Sequence, residues 1–202
     1  AAGWHDVVLC RADSCTGKAS IRGLCQRTHE GEQDHATRRW LRRVPPVSLD
    51  AGQLRMYVVR PVLQVMSAWS RPAEDLVMGT AAQESRLQYL RQLGGGPALG
   101  LWQMEPATHD DIWDNWLSGK PAMRLSVLGV SRMDSRPPPE ALVYNLRYAA
   151  AMCRAHYLRK PGAIPADLPG QAAYWKQNYN TPLGAGTVAE YIRNYSLVRT
   201  EA

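Results

Sequence analysis

Apolar residues recur at helical spacing along most of the chain after residue 47. Leu54, Val58, Val62, Leu63 and Met66 share one face and predict a helix running through Trp69, with Ser48 as its N-cap. Ser70-Arg71-Pro72 opens a second helix, because proline suits a first turn. Its buried face is Ala73, Leu76, Val77, Thr80 and Ala81, and its far end carries Glu84. A glycine-rich turn at 94–100 follows, then a helix opening at Pro106. Pro121 and the run Pro137-Pro138-Pro139 make residues 114–139 a short helix and a long loop, set as a flap over a groove. Leu142, Val143, Leu146, Ala149, Ala150, Cys153 and Tyr157 define one face of a long helix over 140–159. A further helix opens at Ala172 and leads to Tyr179-Asn180, residues 181–184 break the chain, and Val188, Tyr191, Ile192 and Tyr195 face a last helix. The pattern predicts a mainly α domain over 47–202, with a glycine-rich loop or small hairpin at its cleft.

Residues 1–46 follow a different logic. Cys10, Cys15, Cys25 and His29 have the spacing C-x4-C-x9-C-x3-H, which suits a closed tetrahedral zinc site. A metal can fold a segment with little core of its own. The alternative is a disulfide between two of these cysteines, which leaves the third thiol odd, whereas zinc uses all three and the histidine. The stretch ending Arg22-Gly23-Leu24-Cys25 and His29 resembles a small Cys3His finger found beside phage and HNH-nuclease domains. With four protein ligands such a site is structural and offers no open position for chemistry. Arg38, Arg39, Arg42 and Arg43 around Trp40 form a basic stretch, read as a solvated helix end rather than a nucleic-acid contact. Val44-Pro45-Pro46-Val47 then marks the boundary between a small zinc-finger-like module, 1–46, and the main domain.

Composition narrows the partners without choosing one. The 202 residues carry a formal charge of +6, which favours an anionic polymer: peptidoglycan, nucleic acid or a membrane surface. No apolar run approaches the roughly 20 residues that cross a bilayer, and the first residues lack the basic and apolar regions of a secretion signal. Phe is absent, so 7 Trp and 9 Tyr supply every benzenoid ring. These side chains suit sugar stacking and cores alike. Trp102, Trp113 and Trp116 are candidates for either use.

Glu84 is the candidate acid. A carboxyl beside core residues keeps its proton near neutrality, as a general acid must. The motif Glu84-Ser85, then Gly100-Leu101-Trp102-Gln103-Met104-Glu105-Pro106-Ala107-Thr108, then Tyr179-Asn180, resembles the lytic transglycosylases of the soluble-lytic, goose-type-lysozyme-like superfamily, closest to small phage-encoded members. The resemblance covers about residues 50–196. It implies a lysozyme-like α domain that cleaves the β-1,4 bond between N-acetylmuramic acid and N-acetylglucosamine. It implies no catalytic cofactor, Glu84 as the single acid/base, and a substrate-binding set of Ser85, Gly100, Gln103, Met104, Tyr179 and Asn180. Gln103 would hydrogen-bond the sugar, and Tyr179 would support Glu84 or the acetamido group. The partners it implies are glycan strands and phage virion or tail proteins. The chain would reside in a virion or host cytoplasm and act at the periplasmic cell wall. Asp110 and Asp111 open a rival, since a second carboxylate across the cleft allows water-adding hydrolysis. The macrodipole favours acids in the first turn of a helix from Pro106, which is the preferred reading of both. A non-catalytic virion protein on the same fold is a third.

Overall fold

The computed structural model describes residues 48–180 and 184–198. Cys10, Cys15, Cys25, His29, the basic run 38–43 and the proline break at 44–47 lie outside the described residues. Those described are mainly helical and form no strand.

Helix α1 (Ala51–Leu54) is capped by Asp50, whose carboxylate accepts from the Gln53 amide at 2.8 Å, two residues beyond the expected Ser48 cap. It runs through a π-helical turn, Arg55–Val59, into α2 (Arg60–Val65). Pro61 accounts for the widening: inside a regular helix its ring meets the carbonyl of Tyr57, and it offers no N–H to that turn. The helix ends short of residue 69 because Ser67 turns left-handed, with φ 52°.

Helix α3 (Arg71–Ser85) starts where expected, with the Ser70 hydroxyl accepting from the Ala73 amide at 3.2 Å. Its entry is held by a buried charge cluster. Glu74, fully buried, accepts from Arg55 Nη1 at 2.6 Å, Arg60 Nε at 2.8 Å and Trp69 Nε1 at 2.7 Å. Arg55 also meets Asp75 at 2.8 Å and donates to the Tyr195 hydroxyl at 2.7 Å. Burial alone would raise the Glu74 pKa, but the bonds from Arg60, Trp69 and Arg55 outweigh it and bring it to about 2.

The loop leaving α3 folds back on itself. Leu99 pairs antiparallel with Arg91 and with Met104 as isolated bridges, a minimal form of the expected hairpin. Gly100 makes the turn at φ 73°, where an added Cβ would stand 2.3 Å from the Leu142 carbonyl oxygen. Both the left-handed backbone and the close approach exclude a side chain. Gly100→Ala is therefore expected to cost about 2 kcal/mol or more, read from urea unfolding.

Helix α4 (Pro106–Asp111) continues into a π-helical turn, Ile112–Leu117, and α5 (Pro121–Ser131) follows. The expected long helix over 140–159 is broken. Asn145, at φ −119° and ψ 92°, separates α6 (Ala141–Tyr144) from α7 (Leu146–Leu158) and caps α7 by accepting from the Tyr148 amide at 3.0 Å. Its amide also donates to the Ser131 carbonyl at 2.9 Å. A side chain that satisfies backbone groups on both sides competes with helix continuation. Residues 148–157 are all buried, so α7 is the central helix, packed against the first helices, α3 and α5.

Helix α8 (Leu168–Trp175) begins before the expected Ala172, behind an Asp167 cap, and passes into a π-helical turn, Lys176–Asn180. Helix α9 (Val188–Val198) lies closely on α3: a Cβ on Gly79 would fall 2.0 Å from the Tyr191 hydroxyl. Among the described residues no helix is long and apolar enough to cross a membrane.

Candidate functional site

Glu84 occupies the last turn of α3, where the chain leaves the core for the glycine-rich loop. Its side chain is half-buried, open on one side to a cleft of about 610 Å³. Gln103, Met104 and Thr108 line the cleft from the motif loop and the start of α4. Tyr179 and Asn180 line it from the π-helical turn after α8. Residues some hundred positions apart thus face one space.

Burial raises the Glu84 pKa to about 7, and the bond donated by Trp175 Nε1 to Glu84 Oε1 at 2.9 Å pulls weakly the other way. A carboxyl on a cleft floor is reached by water from one side only, while protein on the other sides replaces its solvation. Partial exposure and a raised pKa therefore coexist. Glu84 therefore holds its proton to far higher pH than an ordinary glutamate.

Gln103 sits in the left-handed region at φ 46°, uncommon for a residue with a side chain. Its amide nitrogen donates to the Gly100 carbonyl at 2.7 Å, and its amide oxygen accepts from none of the described residues. The residue lines the cleft. The Tyr179 hydroxyl donates to the Trp102 carbonyl at 2.7 Å, tying the C-terminal wall to the motif loop. Its ring packs against both His156 and Tyr157, at centroid distances of 4.8 and 5.4 Å. Lys176 donates to Asn180 Oδ1 at 2.8 Å and to the Gly184 carbonyl at 2.7 Å, which fixes that end of the wall.

Two residues named from the motif stand elsewhere. The Ser85 hydroxyl donates to the Ala81 carbonyl at 3.1 Å within α3, and the residue borders a smaller depression beside Glu84. Gly100 packs on the Leu142 backbone and shapes the loop.

Asp110 and Asp111 are not among the residues that line the cleft. They close α4 rather than opening it, and arginines engage both: Arg136 with Asp110 at 2.5 Å, and Arg159 with Asp111. Trp102 and Trp113 belong to the core, donating to the Val77 carbonyl at 2.9 Å and to the Tyr148 hydroxyl at 2.8 Å. Residues 114–139 contribute nothing to the cleft wall. They pack as the end of the π-helical turn, α5 and a loop whose Arg136 grips Asp110 and Asp114, so this segment is not a flap over the cleft.

The structure adds three groups that the pattern did not single out. Trp175 is the direct partner of the Glu84 carboxyl. His156 lines the cleft, and burial lowers its pKa to about 4, so it is neutral at pH 7. Its Nε2–H donates to the Asn178 carbonyl at 2.8 Å, while Nδ1 accepts from Arg159 at 3.1 Å. Glu105, exposed at the cleft wall, is the second carboxylate that Asp110 and Asp111 are not. Glu105 was legible, standing inside the motif itself; Trp175 and His156 carried no spacing signal. Among the described residues no group of three His, Cys, Asp or Glu side chains could hold a metal ion.

No protein-family model, curated protein or solved structure matches this chain.

Proposed function

We propose that residues 47–202 form a peptidoglycan lytic transglycosylase acting on the bond between N-acetylmuramic acid and N-acetylglucosamine. The observation that carries the reading is Glu84: a carboxyl with its pKa raised to about 7, opening on a cleft whose other walls are Gln103, Tyr179 and Asn180. A carboxyl whose pKa lies near the working pH can both give and take a proton in one cycle. In the first step Glu84 donates its proton to the glycosidic oxygen as the bond to the muramyl C1 breaks. In the second, the Glu84 carboxylate takes the proton from the muramyl C6 hydroxyl as its oxygen closes on C1. The acid is restored, no water is consumed, and the product is a 1,6-anhydro sugar. Gln103, with its amide nitrogen held by the loop, presents an oxygen to a sugar N–H or O–H.

Tyr179 enters this scheme as a wall that positions the motif loop through the Trp102 carbonyl. Phage-encoded relatives in the resemblance suggest delivery by a virion or lysis apparatus, and structural zinc at the N-terminal module belongs to the same proposal.

Glu105 supports a second reading. A carboxylate on the same wall could activate water, giving muramidase-type hydrolysis at the same bond. Mass spectrometry of muropeptides released from purified peptidoglycan separates the two. Anhydro-muramyl ends, 18 Da lighter than reducing ends by the mass of one water, are expected. Reducing ends alone would establish hydrolysis and point to Glu105.

A further inference from the structure

A second groove, of about 510 Å³, lies between the π-helical turn Ile112–Leu117 with the start of α5 and the C-terminal end of α7. Trp116, Lys120 and Met123 form one side, and Leu158, Arg159 and Lys160 the other. The Lys120 ammonium stands 5.5 Å from the centre of the half-buried Trp116 ring. Arg159 spends one arm on Asp111, while its buried Nε–H has no partner among the described residues. Neither Lys120 nor Lys160 pairs with a carboxylate among those residues.

Cations at the end of α7 could simply answer the helix carbonyls there. Lys120 comes from a different element, however, and the three cations converge on one groove with an aromatic floor. This groove and the cleft share a wall, since Arg159 in the groove donates to His156, which lines the cleft, at 3.1 Å. Arg159 thus links the two, one hydrogen bond from a residue that lines the cleft.

We propose that this groove binds the carboxylate-bearing peptide stems of the wall polymer, holding the strand while Glu84 acts on its glycan. The inference rests on the wall reading of the cleft. It adds a recognition element for the peptide branch, which the chemistry at Glu84 does not require.

The test is retention of the full chain on bead-immobilised ligands, carried out in a Glu84→Gln background so that turnover does not consume the ligand. Sacculi with intact stems are compared with glycan stripped of peptide by an amidase, and with duplex DNA. Adding Lys120→Ala and Lys160→Ala together is expected to weaken binding to stem-bearing sacculi about fivefold, with no change on stripped glycan. Unchanged binding to stem-bearing sacculi overturns the proposal, as does equal weakening on stripped glycan. Loss confined to DNA overturns it too and makes the groove a nucleic-acid site. The wall reading fails by a different result: no release of muropeptides from sacculi by the parent chain.

Discussion

Glu84→Gln is expected to reduce release of muropeptides from peptidoglycan at least about 10³-fold, because in the proposed mechanism one side chain serves as both acid and base. The amide keeps the shape and can still accept from Trp175, so the loss isolates proton transfer. In the parent chain kcat/KM should fall as pH rises through about 7, where Glu84 gives up its proton. The same substitution has an opposite effect on stability. Folding raises this pKa from 4.5 to about 7, so the folded chain retains a proton that the unfolded chain releases over that interval. The stability contributed by Glu84 is complete below pH 4.5 and lost as pH rises through 7. Glu84→Gln should therefore be more stable than the parent at pH 8, by up to about 3 kcal/mol, and no more stable at pH 4. Urea unfolding at the two pH values measures this. A variant with full activity, or with no stability gain at pH 8, contradicts the assignment of a buried acid.

Glu74→Ala is expected to cost about 3–5 kcal/mol, the largest stability loss of any single change considered. Removing the carboxylate leaves Arg55 buried with Asp75 alone and strips a partner from Arg60 and Trp69. For a domain of this size the melting temperature should fall by about 10 °C. The pH dependence has the opposite sense to that of Glu84. Folding lowers the Glu74 pKa from 4.5 to about 2, so its contribution is present above pH 4.5 and is lost as pH falls through 2. The parent should lose stability over that acid range, and Glu74→Ala should lose less. A loss under about 1 kcal/mol would show that the cluster can relax into water.

Why the acid was legible and the charge cluster was not follows from what sequence periodicity encodes. The apolar spacing after Ser70 sets the length of α3 and hence the place of Glu84, because burial of that face is decided locally. Arg55, Glu74 and Tyr195 lie far apart in the chain, and only tertiary packing brings them together. The three π-helical turns are invisible for a related reason: at five or six residues each they are too short to print a period of their own. The break at Asn145 escaped the helical pattern because its two backbone bonds depend on Ser131 and Tyr148 arriving beside it. Motif spacing identified Gln103, Met104, Tyr179 and Asn180 as cleft residues, yet it drew Gly100 and Ser85 along with them. Those two shape the loop and the helix end, where a motif records geometry as readily as contact.

The position of Glu84 within α3 carries a consequence of its own. It stands one residue before the end of a 15-residue helix, where backbone carbonyls without helical partners point outward. The summed peptide dipoles place partial negative charge at that end, and a carboxylate there is repelled by the backbone itself. Even an insertion that exposed the cleft more fully would leave this bias toward the protonated acid in place. The same glutamate at the first turn of α3 would feel the field reversed and surrender its proton. Helix direction, set by nothing more than the order in which the chain is read, thus helps decide which hydrogen the site can lend.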